Sequence, residues 1–184
     1  MKTKVIVSGG YAEEPNELNS KFFKEILKDT GDEVTVLIIM FARPEEVWNE
    51  KSKRCISQFE TTKGDKKIKY NIANHDELEE QIESSDVIYV RGGTTSLLID
   101  AIAAHPDFVN LITGKILAVE SAGTYLVSDY FYSKSEGGIF RGLAILPVKT
   151  ICHFEGKNEE QLDKCPGNLE KLLLKSYEHK VYFI

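Results

Sequence analysis

Short runs of β-branched and aliphatic residues alternate along the chain with longer stretches whose apolar positions recur at helical spacing. Lys4–Ser8 reads as a first strand, closed by Gly9 and Gly10. From Pro15 to Lys28, Leu18, Phe22, Ile26 and Leu27 fall on one helical face, with Asn16 and Asn19 as polar starts. Val34–Met40 is a continuous apolar strand, the pattern expected when both faces of a sheet are covered. Pro44 opens a helix carrying Val47, Trp48 and Ile56, and the polar stretch 51–67 is expected to be partly looped. Lys67–Ile72 is a third strand, His75–Ser84 a helix, and Asp86–Val90 a fourth strand running into Arg91-Gly92-Gly93. Thr94–Ala104 is helical in pattern and Lys115–Glu120 a fifth strand. A short helical pattern from Thr124 to Ser128 follows, and 133–142 is the least regular stretch. Leu143–Cys152 contains another strand, and a helix around Leu169–Tyr177 precedes a last strand, Val181–Ile184.

This alternation predicts a single α/β domain over residues 1–184, three-layered and doubly wound, with a mostly parallel sheet covered by helices on both faces. Ligands of such sheets bind at the carboxyl ends of the strands. Three of those ends carry small residues: Gly9-Gly10, Gly92-Gly93 and Ser121-Ala122-Gly123.

Charge and composition narrow the function classes. The 184 residues are 42% hydrophobic and 28% charged, enough to bury a core rather than remain disordered. With 23 Lys and Arg against 29 Asp and Glu, the net charge of −6 argues against a nucleic-acid partner. Apolar runs such as Val34–Ala42 stop short of the ~20 residues of a membrane span, so no membrane partner is expected. The first residues lack the long apolar centre of a secretory signal, which makes a cytoplasmic location the expectation. Cys55, Cys152 and Cys165, like the four histidines, are too scattered for a disulfide framework or a metal site, and no cofactor is expected.

Chemistry is suggested by Ile116-Leu117-Ala118-Val119-Glu120-Ser121-Ala122-Gly123, a strand running into small residues and then a helix. A serine on such a turn projects its hydroxyl from the top of the sheet, with backbone amides nearby to hold an oxyanion. The competing reading is a helix N-cap, a role serine favours. The general Gly-x-Ser-x-Gly elbow is also broken, because Val119 stands at its first glycine. His153 is the one histidine at a predicted strand end, with a side chain suited to taking and returning a proton. Cys152 points to the opposite face and reads as a buried apolar residue. Arg91-Gly92-Gly93-Thr94-Thr95 matches neither a phosphate-binding loop nor a dinucleotide fingerprint.

Taken in order, Val90-Arg91-Gly92-Gly93-Thr94-Thr95, Glu120-Ser121-Ala122-Gly123 and Leu143-Ala144-Ile145-Leu146-Pro147 through His153-Phe154 resemble the peptidase E and cyanophycinase family. These are serine peptidases on the class I glutamine amidotransferase fold, and the resemblance covers about residues 1–155. It implies Ser121 as nucleophile, His153 as general base, and Gly92, Gly93 and Ala122 as oxyanion and substrate-binding residues; the need for oxyanion donors near the reacting oxygen then predicts that Gly92-Gly93 and Ser121 end neighbouring strands. It also implies a third, acidic member after the elbow, for which Glu136 is the expected residue and Asp129 the alternative. Thr94 stands where the family often has Asn, the segment from Ser121 to His153 is short, and the chain stops at Ile184 where relatives continue through further strands. The implied activity is hydrolysis of dipeptides or short peptides through an acyl-enzyme; the alternative is a non-catalytic binding or regulatory relative. A glutamine amidotransferase needs Cys where Ser121 stands. The expected partner is a small peptide, and homo-oligomerisation is left open.

Overall fold

The computed structural model describes residues 2–184. In chain order the elements are β1 (Lys4–Ser8), α1 (Glu17–Leu27), β2 (Glu33–Ile39), α2 (Trp48–Thr62), β3 (Lys67–Ile72), α3 (Leu78–Glu83), β4 (Val87–Val90), α4 (Thr95–Ala103) and α5 (Phe108–Leu111). They continue with β5 (Ile116–Glu120), α6 (Ala122–Val127), β6 (Ser128–Ser133), β7 (Gly138–Arg141), β8 (Leu146–Ile151), β9 (Glu170–Leu173) and β10 (His179–Phe183). Six strands form the main sheet in the order β10-β1-β5-β4-β2-β3. All its pairings are parallel except that of β10 with β1.

Alternate residues of the central strands feed two cores. Ile6, Val36, Ile38, Tyr89 and Ala118 pack on one face against Phe22, Phe23 and Ile26 of α1 and Phe59 of α2. Val5, Val7, Leu37, Ile88, Leu117 and Val119 pack on the other, against Leu78 and Ile82 of α3, Leu98 of α4, Phe108 of α5 and Leu126 of α6. This is the three-layer arrangement the apolar strands imply, because a strand that is apolar throughout must be covered twice. Asn16 caps α1 by accepting from the Asn19 amide at 2.9 Å. Leu18, on the expected apolar face, is 46% exposed.

The carboxyl-terminal third departs from the expectation of one sheet. A second sheet runs β7-β6-β8-β9, with β6, β8 and β9 parallel and β7 closing a hairpin on β6. It contributes Leu146, Val148 and Leu172 to the second core. The irregular stretch 133–142 is the turn and outer strand of that hairpin. The helix expected over 169–177 is strand β9 and a turn instead. Its leucines favour a helix locally, but Leu172 and Leu174 are buried at alternate positions and β9 pairs with β8, so tertiary packing overrides propensity. The stretch 51–67, expected to be partly looped, is helical as far as Thr62.

Strand order decides where the chemistry lies. β5 sits between β1 and β4, with Val119 opposite Val7 on one side and Val90 on the other. The glycines after β1, those after β4 and the serine after β5 therefore leave the sheet side by side.

Candidate active site

Ser121 leaves β5 at φ 49° and ψ −105°, outside the conformations a serine usually adopts, and α6 begins at the next residue. Strain of this kind persists only where surrounding contacts over-determine it. Here the Ser121 amide donates to Ser8 O at 2.9 Å, and its carbonyl accepts from the Tyr125 amide at 3.0 Å. Its side chain makes no capping hydrogen bond to α6, which removes the N-cap reading. Val119 is accommodated where the general elbow has glycine because the space is made at Gly123. A Cβ there would lie 3.0 Å from both Val119 Cβ and Val90 O.

The Ser121 hydroxyl lies 3.1 Å from Nε2 of His153. Pairing of β8 with β9 brings the opposite side of the imidazole to a further serine. Ile151 lies opposite Leu173, and from there the two chains run on to His153 and Ser176. His153 Nδ1 is 3.1 Å from Ser176 Oγ. When Nδ1 carries the proton it donates to Ser176 Oγ, leaving the Nε2 lone pair to accept from the Ser121 hydroxyl. His153 is itself in the left-handed region, φ 51°, with its amide donating to Gly9 O at 3.3 Å. Burial pushes its pKa below the ordinary 6.5, partly opposed by the charges of Glu120 and Glu155. Cys152 is buried with its Sγ 3.6 Å from the Ser121 carbonyl oxygen, and burial pushes its thiol pKa up, far from a reactive thiolate.

Glu120, nine-tenths or more buried, ties the strand ends together. One oxygen accepts from the Gly92 amide at 3.2 Å and the other from the Ala12 amide at 2.9 Å. Arg91 pairs with Glu120 at 3.1 Å and with Glu13, also at 3.1 Å. Burial works against ionisation of Glu13, but the charges of Arg91 and Lys51 hold its carboxyl below the usual range. Of the three expected turn residues, Gly92 thus has its amide engaged. The amides of Gly93 and Ala122 make no hydrogen bond among the described residues. Gly93 passes so close to Ala42 that a Cβ would lie 2.3 Å from Ala42 O. A cavity of about 210 Å³ opens over these groups, lined by Tyr11, Glu13, Arg43, Arg91, Gly93 and His153 among others.

The expected acid is corrected. Glu136 is exposed in the β6–β7 turn, where its amide faces Ser133 Oγ at 3.3 Å, and it makes no contact with His153. Asp129 lies in β6 and pairs with Arg141 at 3.1 Å. Neither carboxylate hydrogen-bonds the imidazole, because the segment holding both is a hairpin of the second sheet rather than a free loop. Ser176 occupies the position expected of the acid, and no local pattern around Lys175-Ser176-Tyr177 marked it. Tyr11 was also missed; its ring centroid lies 4.6 Å from that of His153. Among the described residues no three His, Cys, Asp or Glu side chains are grouped as metal ligands, and no helix is long and apolar enough to cross a membrane.

Comparison with known proteins gives the family and the fold. The family model described as peptidase family S51 matches residues 5–184. A peptidase from an acI-B1 Actinobacterium, known from its crystal structure, superposes with a TM-score of 0.72 at 18% identity, over 99% of this chain and 84% of that one. A candidate peptidase E protein from Listeria monocytogenes EGD-e gives a TM-score of 0.67 at 16% identity, over 100% of this chain and 98% of that one. No match was found among curated protein sequences.

Proposed function

Because the chain belongs to peptidase family S51 and is a serine-type hydrolase, we propose that it cleaves dipeptides or short peptides with Ser121 as nucleophile, His153 as general base and Ser176 as the residue that orients His153. The observation carrying this reading is the chain of contacts Ser121 Oγ to His153 Nε2 and His153 Nδ1 to Ser176 Oγ, each 3.1 Å. Attack of Oγ on the scissile carbonyl passes its proton to Nε2. The oxyanion accepts from the amides of Gly93 and Ala122. The imidazolium then gives its proton to the leaving amine, and the acyl-enzyme is hydrolysed by water activated in the same way.

A neutral Ser176 fixes the tautomer but brings no charge to the imidazolium. That electrostatic part falls to Glu120 and Glu155, the two carboxylates that favour the protonated ring. The small cavity, roughly seven water volumes at ~30 Å³ each, favours a substrate of one or two residues on that side. Its mixed lining of Arg43, Arg91, Glu13 and Glu120 suits a polar, charged molecule such as a dipeptide.

The lack of an acid on His153 favours a second reading, a relative that keeps the fold and binds peptides without turnover. Fluorophosphonate labelling with mass-spectrometric mapping separates the two. The hydrolytic reading expects modification at Ser121, release of amino acids from dipeptides, and loss of both in a folded Ser121→Ala variant by several orders of magnitude. A folded wild-type protein that neither labels nor cleaves is the binding relative.

A further inference from the structure

Four of the six non-glycine residues with positive φ meet at the candidate site: Tyr11 (62°), Ser121 (49°), His153 (51°) and Tyr177 (69°). Ser121 and His153 have roles in the reading above; the two tyrosines have none. Tyr11 is 53% exposed, unusual for a large ring at a cavity wall, and its ring lies beside the imidazole, tilted 57° to it with centroids 4.6 Å apart. Tyr177 lies 5.9 Å from Tyr11, ring to ring.

The pair is held rather than free. The Tyr177 amide donates to Gly10 O at 3.1 Å, and its hydroxyl donates to Glu14 Oε2 at 2.5 Å. The Tyr11 carbonyl accepts from Asn19 Nδ2 at 2.8 Å and from the Glu14 amide at 3.1 Å. An apolar surface fixed in advance binds at low entropic cost.

Reaction geometry says what such a surface meets. The imidazolium must hand its proton to the leaving nitrogen, so the residue carrying that nitrogen lies beside His153. The carbonyl oxygen turns the other way, toward Gly93 and Ala122. Arg43, Arg91, Glu13 and Tyr11 all line the cavity, and of these the Tyr11 ring is the one packed beside the imidazole.

We propose that Tyr11, braced by Tyr177, forms the subsite for the leaving residue and selects aromatic or large apolar side chains there. The proposal rests on the hydrolytic reading for its assignment of the leaving side. Ring-on-ring contact is the recognition chemistry, and the Tyr11 hydroxyl is not needed for it.

Two measurements test it. In the first, kcat/KM is measured for dipeptides sharing one acyl residue and ending in Phe, Leu or Gly. Wild type and Tyr11→Phe should prefer Phe and Leu over Gly, and Tyr11→Ala should lose about tenfold of that preference, the scale of one aromatic contact. Tyr177→Phe, which frees the brace from Glu14, should lose part of it. Unchanged preference in Tyr11→Ala, or faster cleavage of the bulky substrates, overturns the proposal; the latter would make Tyr11 a barrier. The second measurement needs no turnover. Free phenylalanine should give saturation-transfer NMR contacts with folded Ser121→Ala protein that glycine does not, and the additional Tyr11→Ala change should abolish them. Failure of phenylalanine to bind, or binding indifferent to Tyr11, refutes the subsite. Absence of peptide cleavage while phenylalanine still binds at Tyr11 instead rejects the hydrolytic reading.

Discussion

Adding one methyl group at Gly10 should disable the chemistry while leaving the fold in place, whereas adding it at the adjacent Gly9 should break the fold itself. A Cβ on Gly10 would sit 2.4 Å from His153 Cε1 and 2.6 Å from Nε2, short of the 3.4 Å of ordinary contact by about 1 Å. The neighbour that must yield is a side chain, so the imidazole moves. A retreat of that size takes Nε2 from 3.1 Å to beyond hydrogen-bond reach of Ser121 Oγ. Misplacement by about 1 Å costs on the order of 10²-fold in rate. Gly10 also has φ 114°, where alanine is strained by roughly 1–3 kcal/mol. For a domain of this size that lowers the Tm by several degrees, about 2–4 °C per kcal/mol. On Gly9 the added carbon would lie 2.0 Å from Lys175 O and 2.9 Å from Leu174 O, both backbone, so the link from β9 to β10 must be displaced. The assay pairs thermal unfolding with the rate of fluorophosphonate labelling at 25 °C. Gly10→Ala should melt cooperatively and label about a hundredfold slower than wild type. Gly9→Ala should lose most of its folded protein. A folded Gly10→Ala protein labelling within twofold of wild type would refute the assignment of His153 as the base.

The remaining predictions concern what surrounds the imidazole. Ser176→Ala removes a hydrogen bond between uncharged groups, worth about 0.5–1.5 kcal/mol, so kcat/KM should fall by roughly two- to tenfold rather than by the ~10⁴-fold that follows loss of a triad carboxylate's charge. Because burial depresses the His153 pKa, the neutral, competent base persists below pH 6.5, and the acid limb of kcat/KM should have its midpoint below that value. Ser176→Asp places an anion on Nδ1, favours the protonated ring and should move that limb to higher pH; an unmoved limb means that Ser176 is not the orienting residue. Glu136→Gln and Asp129→Asn should each leave turnover within about twofold, since one side chain is solvated and the other is in a surface ion pair. A large loss in either variant restores that acid to the mechanism.

Most of the main sheet was legible because its central strands are largely apolar and β3 alternates polar and apolar residues. β1 and β3 have the bounds read from the chain, and β2, β4 and β5 agree within a residue at each end. The side-by-side placement of Gly92-Gly93 and Ser121 was legible as a requirement of oxyanion chemistry, and β4 does pair with β5. Of the second sheet only β8 was legible, as the strand within Leu143–Cys152. β7 is short with no buried residue, and β9 carries a leucine run whose helical propensity says nothing of its partner β8. Ser176 was hidden for the same reason: it reaches His153 only through the β8–β9 pairing, a long-range contact with no sequence period. Glu136 shows the converse error. An acid flanked by Ser135 and Gly137-Gly138 suggests a mobile loop, but those residues are the turn of a hairpin whose strands fix where it points.

The contacts of Glu120 explain why the residue before Ser121 is charged although it is buried in the sheet. A carboxylate taken out of water there costs several kcal/mol unless it is paired and hydrogen-bonded. Its two oxygens are supplied with the Ala12 and Gly92 amides, and Arg91, itself 1% exposed, neutralises it while reaching Glu13. These partners come from two strand ends, Ala12 after β1 and Arg91 with Gly92 after β4, so one side chain sets the spacing of the loop after β1, the turn after β4 and the elbow after β5. Engaging the Gly92 amide has a chemical consequence. It leaves the next amide in the turn, that of Gly93, without a hydrogen bond among the described residues, at a residue that lines the cavity. The Glu-Ser-Ala-Gly sequence thereby acts as one unit, in which the glutamate builds the turn that the serine uses and the last glycine makes room for Val119.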